Sequence, residues 1–227
     1  MENNKILVVE DEEDISELVC YNLKKAGFTT ETAFSGEEAL RKLEKSDPEL
    51  VLLDVMLPNI NGFEVLRRIR AEEKFRKISV IMLTAKGSDV DVVKGLELGA
   101  DDYIAKPFSP SVLIARIKSV LKRKGEFAKG DIIKIDKLVI NPEKYEVTID
   151  DTRIDLTISE FQILCFLAKK KGWAMSRYQI INVIKGEDHF VTDRAVDVMI
   201  VGLRKKLKEY GEYIETVRGV GYRFKEY

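Results

Sequence analysis

The sequence predicts an α/β domain with a five-stranded parallel sheet, followed by a smaller α+β domain. Three observations carry that prediction. Continuously apolar short runs alternate with helical patterns through residues 1–123. After a polar, glycine-containing stretch the pattern changes to half-exposed alternation. The length, 227 residues, also exceeds what one hydrophobic core commonly serves.

In chain order, Ile6–Val9, Leu50–Leu53 and Val80–Leu83 read as strands buried on both faces, being apolar throughout and partly β-branched. Thr29–Ala33 and Tyr103–Ala105 complete the set of five. Between them, Ile15, Leu18, Val19, Leu23 and Ala26 recur at helical spacing and stop at Gly27, a C-cap. Phe63, Leu66 and Ile69 form a second helical face after Gly62, and Val112, Leu113, Ile117 and Leu121 another after Ser109 and Pro110. Five β-α units in succession predict a doubly wound, flavodoxin-like sheet with helices on both faces.

Residues 124–130 read as a linker and 131–227 as the second domain. Ile132–Ile140 and Tyr145–Ile149 alternate like antiparallel strands, with turns at Asn141-Pro142 and Asp150-Asp151. Helical patterns follow over Ser159–Lys171, Arg177–Ile184 and about Thr192–Tyr210. A hairpin over Ile214–Val217 and Tyr222–Phe224 closes the chain, turning at Gly219–Gly221. Three helices with a terminal hairpin predict a winged helix-turn-helix.

Composition narrows the function. A net charge of −1 argues against a grossly basic nucleic-acid binder, so any basic surface must be local. No apolar run approaches the roughly 18 residues of a membrane span, and the N-terminus has no signal core, which predicts a cytoplasmic protein with no membrane partner. Cys20 and Cys165 lie far apart in apolar contexts and read as buried thiols. With His189 as the one histidine, chemistry that needs a histidine pair is excluded, as is an internal histidine phosphodonor on a helix face.

The polar residues fall at informative places. The first strand ends in Glu10 and Asp11, the third in Asp54, the fourth in Thr84 and the fifth in Lys106. With strand order 2-1-3-4-5, all five share the crevice where open α/β sheets bind ligands. Three carboxylates in close approach repel, and a divalent cation beside an ammonium removes that penalty. Oxygen-only ligands favour Mg²⁺. Mg²⁺ attracts phosphoryl oxygens, and a carboxylate that attacks phosphorus forms an aspartyl phosphate. Asp54 is the better nucleophile, because an apolar turn, Val55–Pro58, follows it.

Here the residues carry a resemblance. Val8–Asp11, Leu52–Pro58 with Gly62, Met82–Ala85 and Gly99–Phe108 together resemble the receiver domain of two-component response regulators. Leu156–Phe161, Asp193–Val198, Leu203–Leu207 and Thr216–Phe224 resemble the effector domain of the OmpR/PhoB subfamily. The resemblance spans nearly the whole chain. It implies a DNA-binding phosphoprotein of a two-component phosphorelay that regulates transcription. Asp54 would accept a phosphoryl group from a sensor histidine kinase. Asp11, Asp54 and the Met56 carbonyl would ligate Mg²⁺, with Glu10 acting through water. Lys106, held by a cis bond to Pro107, would pair with phosphoryl oxygens. Thr84 would hydrogen-bond the new phosphate, and Tyr103 would rotate into the space Thr84 leaves. The protein would not be an enzyme beyond slow self-dephosphorylation, since Met56 and Lys86 flank the path of an attacking water.

The resemblance also implies a phosphorylation-induced homodimer through the fourth helix, fifth strand and fifth helix. Asp101 and Asp102 match its acidic members, and Arg116 and Lys118 its basic ones. Relatives carry a basic residue at position 92 and Glu at 112; this chain has Val92 and Val112. Two valines suggest an apolar contact in place of an ion pair, an exchange proteins tolerate well.

For double-stranded DNA, Arg194 and Arg204 match contacting positions on the third helix, Arg177 on the preceding helix, and Thr216 and Arg218 on the wing. RNA polymerase is a further partner the resemblance leaves room for. Where relatives carry Thr, His, Arg and Arg along the exposed groove face, this chain has Ala195, Met199, Val201 and Gly202. Val201 and Met199 donate no hydrogen bonds to base edges, which leaves apolar contact with thymine methyls open to such a face. It also keeps open a phosphorylation-gated protein–protein adaptor with weak or altered DNA binding. A Mg²⁺-dependent phosphatase fits poorly, because Met56 stands where such enzymes place a general acid. A nucleotide site fits poorly as well, because acidic residues 10–14 follow the first strand in place of a glycine-rich turn.

Overall fold

The computed structural model describes residues 4–75, 77–85, 94–95, 98–127, 130–185 and 193–226. It divides into two units, Met1–Leu121 and Lys122–Tyr227.

In the first unit, β1 (Lys5–Val9), α1 (Glu13–Lys25), β2 (Thr29–Ala33), α2 (Gly36–Leu43), β3 (Leu50–Asp54), α3 (Gly62–Ala71), β4 (Ser79–Ala85), β5 (Asp102–Lys106) and α4 (Pro110–Phe127) follow in order. The sheet is parallel, with strand order β2-β1-β3-β4-β5. β1 and β3 are buried along almost their whole length, as their unbroken apolar sequences predict. One core packs Ile6, Val8, Leu50, Leu52, Ile81 and Leu83 of the sheet against Val19 and Leu23 of α1 and Leu113 and Ile117 of α4. Leu18, expected with that apolar helix face, is 59% exposed. Two helix entries have a local cause: Ser35 accepts a hydrogen bond from the Glu38 amide and Asn61 from the Glu64 amide. α4 runs to Phe127, so a helix occupies part of the stretch read as linker.

The second unit opens with a four-stranded antiparallel sheet, β6 (Ile133–Ile135), β7 (Leu138–Asn141), β8 (Glu146–Ile149) and β9 (Thr152–Arg153). The single strand expected over Ile132–Ile140 is two strands. Asp136 adopts a left-handed conformation (φ 51°) and turns the chain without a glycine. Three helices follow, α5 (Ile158–Lys169), α6 (Arg177–Lys185) and α7 (Asp193–Lys206). α5 begins in a capping box between Thr157 and Glu160. α7 ends at Lys206, shorter than the pattern to Tyr210 suggested, and a 3₁₀ turn takes over at Lys208–Tyr213. β10 (Met175–Ser176), β11 (Ile214–Val217) and β12 (Gly221–Phe224) form a small antiparallel sheet in the order β10-β12-β11, with β11 and β12 as the wing hairpin. Phe161, Leu164, Ile180, Val196, Ile200, Leu203 and Phe224 meet in one core.

Both cysteines are free and buried. Burial pushes the Cys165 thiol up to about 12. No helix among the described residues is long and apolar enough to cross a membrane.

One buried ion pair ties α3 to the sheet. The Arg70 guanidinium donates to the Gly99 and Ile78 carbonyls and to Asp101 Oδ2, each at 2.9 Å. Asp101 Oδ2 also accepts the Val80 amide at 2.7 Å. Both side chains are below a tenth exposed. Removing one partner of such a pair strands the other charge. Arg70→Ala is therefore expected to destabilise the first unit by about 3 kcal/mol in urea denaturation, with Arg70→Lys recovering part of the loss.

Candidate functional site

Four strands end at one rim, and each brings a polar side chain to it. Glu10 follows β1, Asp54 closes β3, Thr84 lies near the end of β4, and Lys106 closes β5. Register fixes their spacing, with Asp54 opposite Leu83 and Thr84 opposite Ala105. Glu10, Asp54 and Thr84 are at most 5% exposed, while Asp11 is open to solvent.

The Lys106 ammonium joins the carboxylates. It donates to Glu10 at 2.6 and 2.9 Å and to Asp54 Oδ2 at 2.8 Å. The other Asp54 oxygen, Oδ1, accepts the Met56 amide at 3.2 Å. The peptide bond from Lys106 to Pro107 is cis, as expected. Burial first, and Asp54 beside it, raise the Glu10 carboxyl to about 7 against the pull of Lys106. At Lys106 burial works to lower the value, but the hydrogen bonds to Asp54 and Glu10 outweigh it and the ammonium is held above its ordinary range.

Carboxylate oxygens of Glu10, Asp11 and Asp54 lie within 4.8 Å of one another. One ammonium neutralises one of three charges, so the rim keeps an acidic, all-oxygen donor set of the kind hard divalent cations take. Asp54 is held from behind by a close approach. A side chain at Gly62 would place its Cβ 2.1 Å from the Asp54 carbonyl oxygen, so only glycine lets α3 start there. An open groove of about 500 Å³ runs beside Asp54, lined by Ile15, Leu18, Met56, Lys106 and Phe108. Sequence periodicity placed Ile15 and Leu18 on one helical pattern and gave no sign of this groove, although Ile15 also packs against the core.

The remaining expected residues of this unit fall in different settings. The Thr84 hydroxyl lies 3.4 Å from the Ala85 carbonyl. Tyr103 is turned inward and 8% exposed. Asp101 and Asp102, expected as the acidic members of a dimer face, are 4% and 1% exposed. Arg70 takes Asp101, and Arg116 of α4 lies 3.4 Å from Asp102, so both carboxylates are engaged within the chain. Val112 and Lys118 of α4 are exposed. Val92 and Lys86 lie outside the described residues.

In the second unit, Arg177, Arg204 and Thr216 converge on a centre the sequence reading did not assign. Arg177 Nε donates to Asp197 Oδ1 at 2.7 Å, and the Tyr222 hydroxyl donates to the same oxygen at 2.7 Å. The guanidinium carbons of Arg177 and Arg204 lie 5.1 and 5.5 Å from the centre of the Tyr222 ring. Arg204 also donates to the Ile214 carbonyl and to the Thr216 hydroxyl, binding α7 to the wing. Arg218 is exposed at the wing turn. His189 and the side chain of Arg194 lie outside the described residues. Ala195 and Met199, expected on the open face of α7, are 0% and 4% exposed and belong to the core. Val201 and Gly202 of that expected face do lie toward the open side, joined by Val198 and Lys205, with Val201 63% exposed.

Residues 6–118 match the response regulator receiver domain family, and residues 151–224 match the family described as transcriptional regulatory protein, C terminal. The chain is 41% identical over 237 residues to the alkaline phosphatase synthesis transcriptional regulatory protein PhoP of Bacillus subtilis, covering 99% of this chain and 98% of that one. It is 42% identical over 222 residues to the phosphate regulon transcriptional regulatory protein PhoB of Klebsiella pneumoniae, covering 97% of each. Among solved structures, the response regulator DrrB of Thermotoga maritima, an OmpR/PhoB homologue, is 35% identical with a TM-score of 0.52 over 98% of this chain and 99% of that one.

The ammonium bridge at the rim has a measurable sign. The folded Glu10 carboxyl keeps its proton up to about pH 7, whereas an unperturbed one releases it near 4.5, so falling pH through that window favours the folded state. Lys106→Met removes the compensating cation. In chelator it is expected to cost about 2 kcal/mol at pH 8, and the loss should shrink as pH falls toward 7, because without Lys106 the Glu10 carboxyl takes up its proton at a higher pH. Urea denaturation across pH 5–8 reads both effects.

Proposed function

The chain belongs to the OmpR/PhoB subfamily of two-component response regulators, and on that premise we propose how its own residues carry the signal. It is a phosphorylation-activated transcriptional regulator, with a receiver domain ahead of a DNA-binding domain. A protein–protein adaptor without DNA binding is not favoured.

Asp54 is the phosphoacceptor. One of its carboxylate oxygens attacks the phosphorus of a sensor kinase's phosphohistidine. The new P–O bond forms as the P–N bond breaks, and the imidazole leaves with the electron pair and takes up a proton. The observation that carries this reading is the arrangement of Lys106, 2.8 Å from Asp54 and placed to follow the charge from carboxylate to phosphoryl oxygens. Asp11, Asp54 and the Met56 carbonyl, with Glu10 behind them, would hold Mg²⁺, and the acidic donor set at the rim fits that ion. When bound, the ion offsets the negative charge that gathers as the phosphoryl group arrives. The groove beside Asp54, with exposed Leu18 and Met56, suits the apolar face of a helix from the donor protein.

The acyl phosphate is long-lived. Met56 offers an attacking water neither a base nor a hydrogen-bond partner to place it in line, so hydrolysis is slow. Thr84 turns toward the phosphoryl oxygens, and Tyr103 is the side chain whose position reports that movement. Output follows by pairing of two receivers along the face that carries Val112 and Lys118, with Val92 as the apolar counterpart of Val112. Dimers then place two winged helices on DNA. Lys205, Thr216 and Arg218 face the duplex, Arg194 and Arg204 lie at its contact positions on α7, and Arg177 steadies α7 through Asp197. Val198 and Val201 contact thymine methyls in the major groove. RNA polymerase is the partner to which a DNA-bound dimer would pass the signal, from the cytoplasm.

Acetyl phosphate with Mg²⁺ is expected to add about 80 Da to the intact chain, and the increment should vanish in Asp54→Asn and without Mg²⁺. A chain that gains no mass, or gains it at another residue, overturns the assignment. Val112→Glu is expected to weaken dimerisation of the phosphorylated protein by about tenfold in sedimentation equilibrium, because it buries an unpaired charge.

A further inference from the structure

Lys94 and Gly95, between β4 and β5, are helical, and the Gly95 backbone is not left-handed. Conformational freedom is therefore not the reason for glycine, and a helical turn favours almost any other residue. Space is the reason. A Cβ built on Gly95 falls 1.2 Å from the Tyr103 hydroxyl oxygen, 2.5 Å from its Cζ and 3.3 Å from Phe63 Cε1.

The two neighbours are held differently. Tyr103 sits in β5 opposite Met82, with its amide donating to Asp102 Oδ1 at 2.7 Å. Phe63 is buried at the start of α3, and the Lys94 ammonium lies 4.4 Å from its ring centre. With the backbones of both strands fixed, only the Tyr103 side chain can yield, by swinging out of the interior.

We propose that Gly95 is the positioning residue that admits the inward Tyr103, and that any side chain at this position uncouples phosphorylation from output. This rests on the reading of Asp54 and Tyr103 as the two ends of one switch. A residue excluding one of two conformers shifts their populations without touching the phosphoryl chemistry.

The test uses the full chain with acetyl phosphate and Mg²⁺, in the wild type, Gly95→Ala, Tyr103→Ala and the double variant. Intact mass reads phosphorylation, sedimentation reads dimerisation, and ¹⁹F NMR of fluorotyrosine-labelled protein reads the Tyr103 environment. Gly95→Ala should gain phosphate within about twofold of wild type and show a solvent-exposed Tyr103 signal. Its phosphorylation-stimulated dimerisation should fall at least about tenfold, and the double variant should lose no more than either single change. If Gly95→Ala lowers the melting temperature, adding Tyr103→Ala must restore it, since the ring is the clash. Normal dimerisation in phosphorylated Gly95→Ala, or a double variant far below both singles, overturns the inference alone. A wild type that gains phosphate without dimerising overturns the switch reading and this inference with it.

Discussion

The structure turns on a single ammonium held between two buried carboxylates. Lys106 reaches from the end of β5 to Glu10 and Asp54 at the ends of β1 and β3. Those acids would repel each other in a dry crevice, and Lys106 pulls the Glu10 carboxyl down toward ionisation against burial and the charge of Asp54. The parallel register of β1, β3, β4 and β5 brings them together, and the close approach at Gly62 keeps Asp54 from moving back. Reactivity and stability are thus opposed in one place. The charge cluster that suits a phosphoryl group is a burden on the fold, and the fold carries it with one hydrogen-bonded cation.

The second unit uses cations differently. Arg177 and Arg204 flank the Tyr222 ring, and Asp197 anchors the assembly. Two of the arginines that sequence matching assigns to DNA are therefore already committed to one another's surroundings. They hold α6, α7 and the wing in a fixed relation before any duplex arrives, which lowers the ordering cost of binding. Among the described side chains of α7, Val201 and Lys205 are the exposed ones.

Much of this was legible in the sequence, for physical reasons. Apolar runs such as Leu50–Leu53 have no stable place except a strand covered on both faces, so the parallel sheet and the rim at its strand ends follow directly. The turn at Asp136 was not legible, because a left-handed aspartate leaves no mark comparable to glycine or proline. Nor were the inward pairing of Asp101 with Arg70 and the burial of Ala195 and Met199. Side-chain identity says what a residue is able to do, whereas which partner it meets depends on packing across elements distant in sequence. The helical pattern carried past Lys206 because the apolar spacing persists there, yet the chain tightens into a 3₁₀ turn that brings Tyr210 to Asp136.

The sealed cysteines bear on what the protein is able to sense. Cys165 holds its proton far above physiological pH, and Cys20 is buried and likewise raised, chiefly by burial. Peroxide and disulfide exchange both act on the thiolate, which burial disfavours. Burial thus disfavours, at both positions, the ionised form through which oxidants mark regulatory cysteines, and the two thiols serve the packing of their separate units.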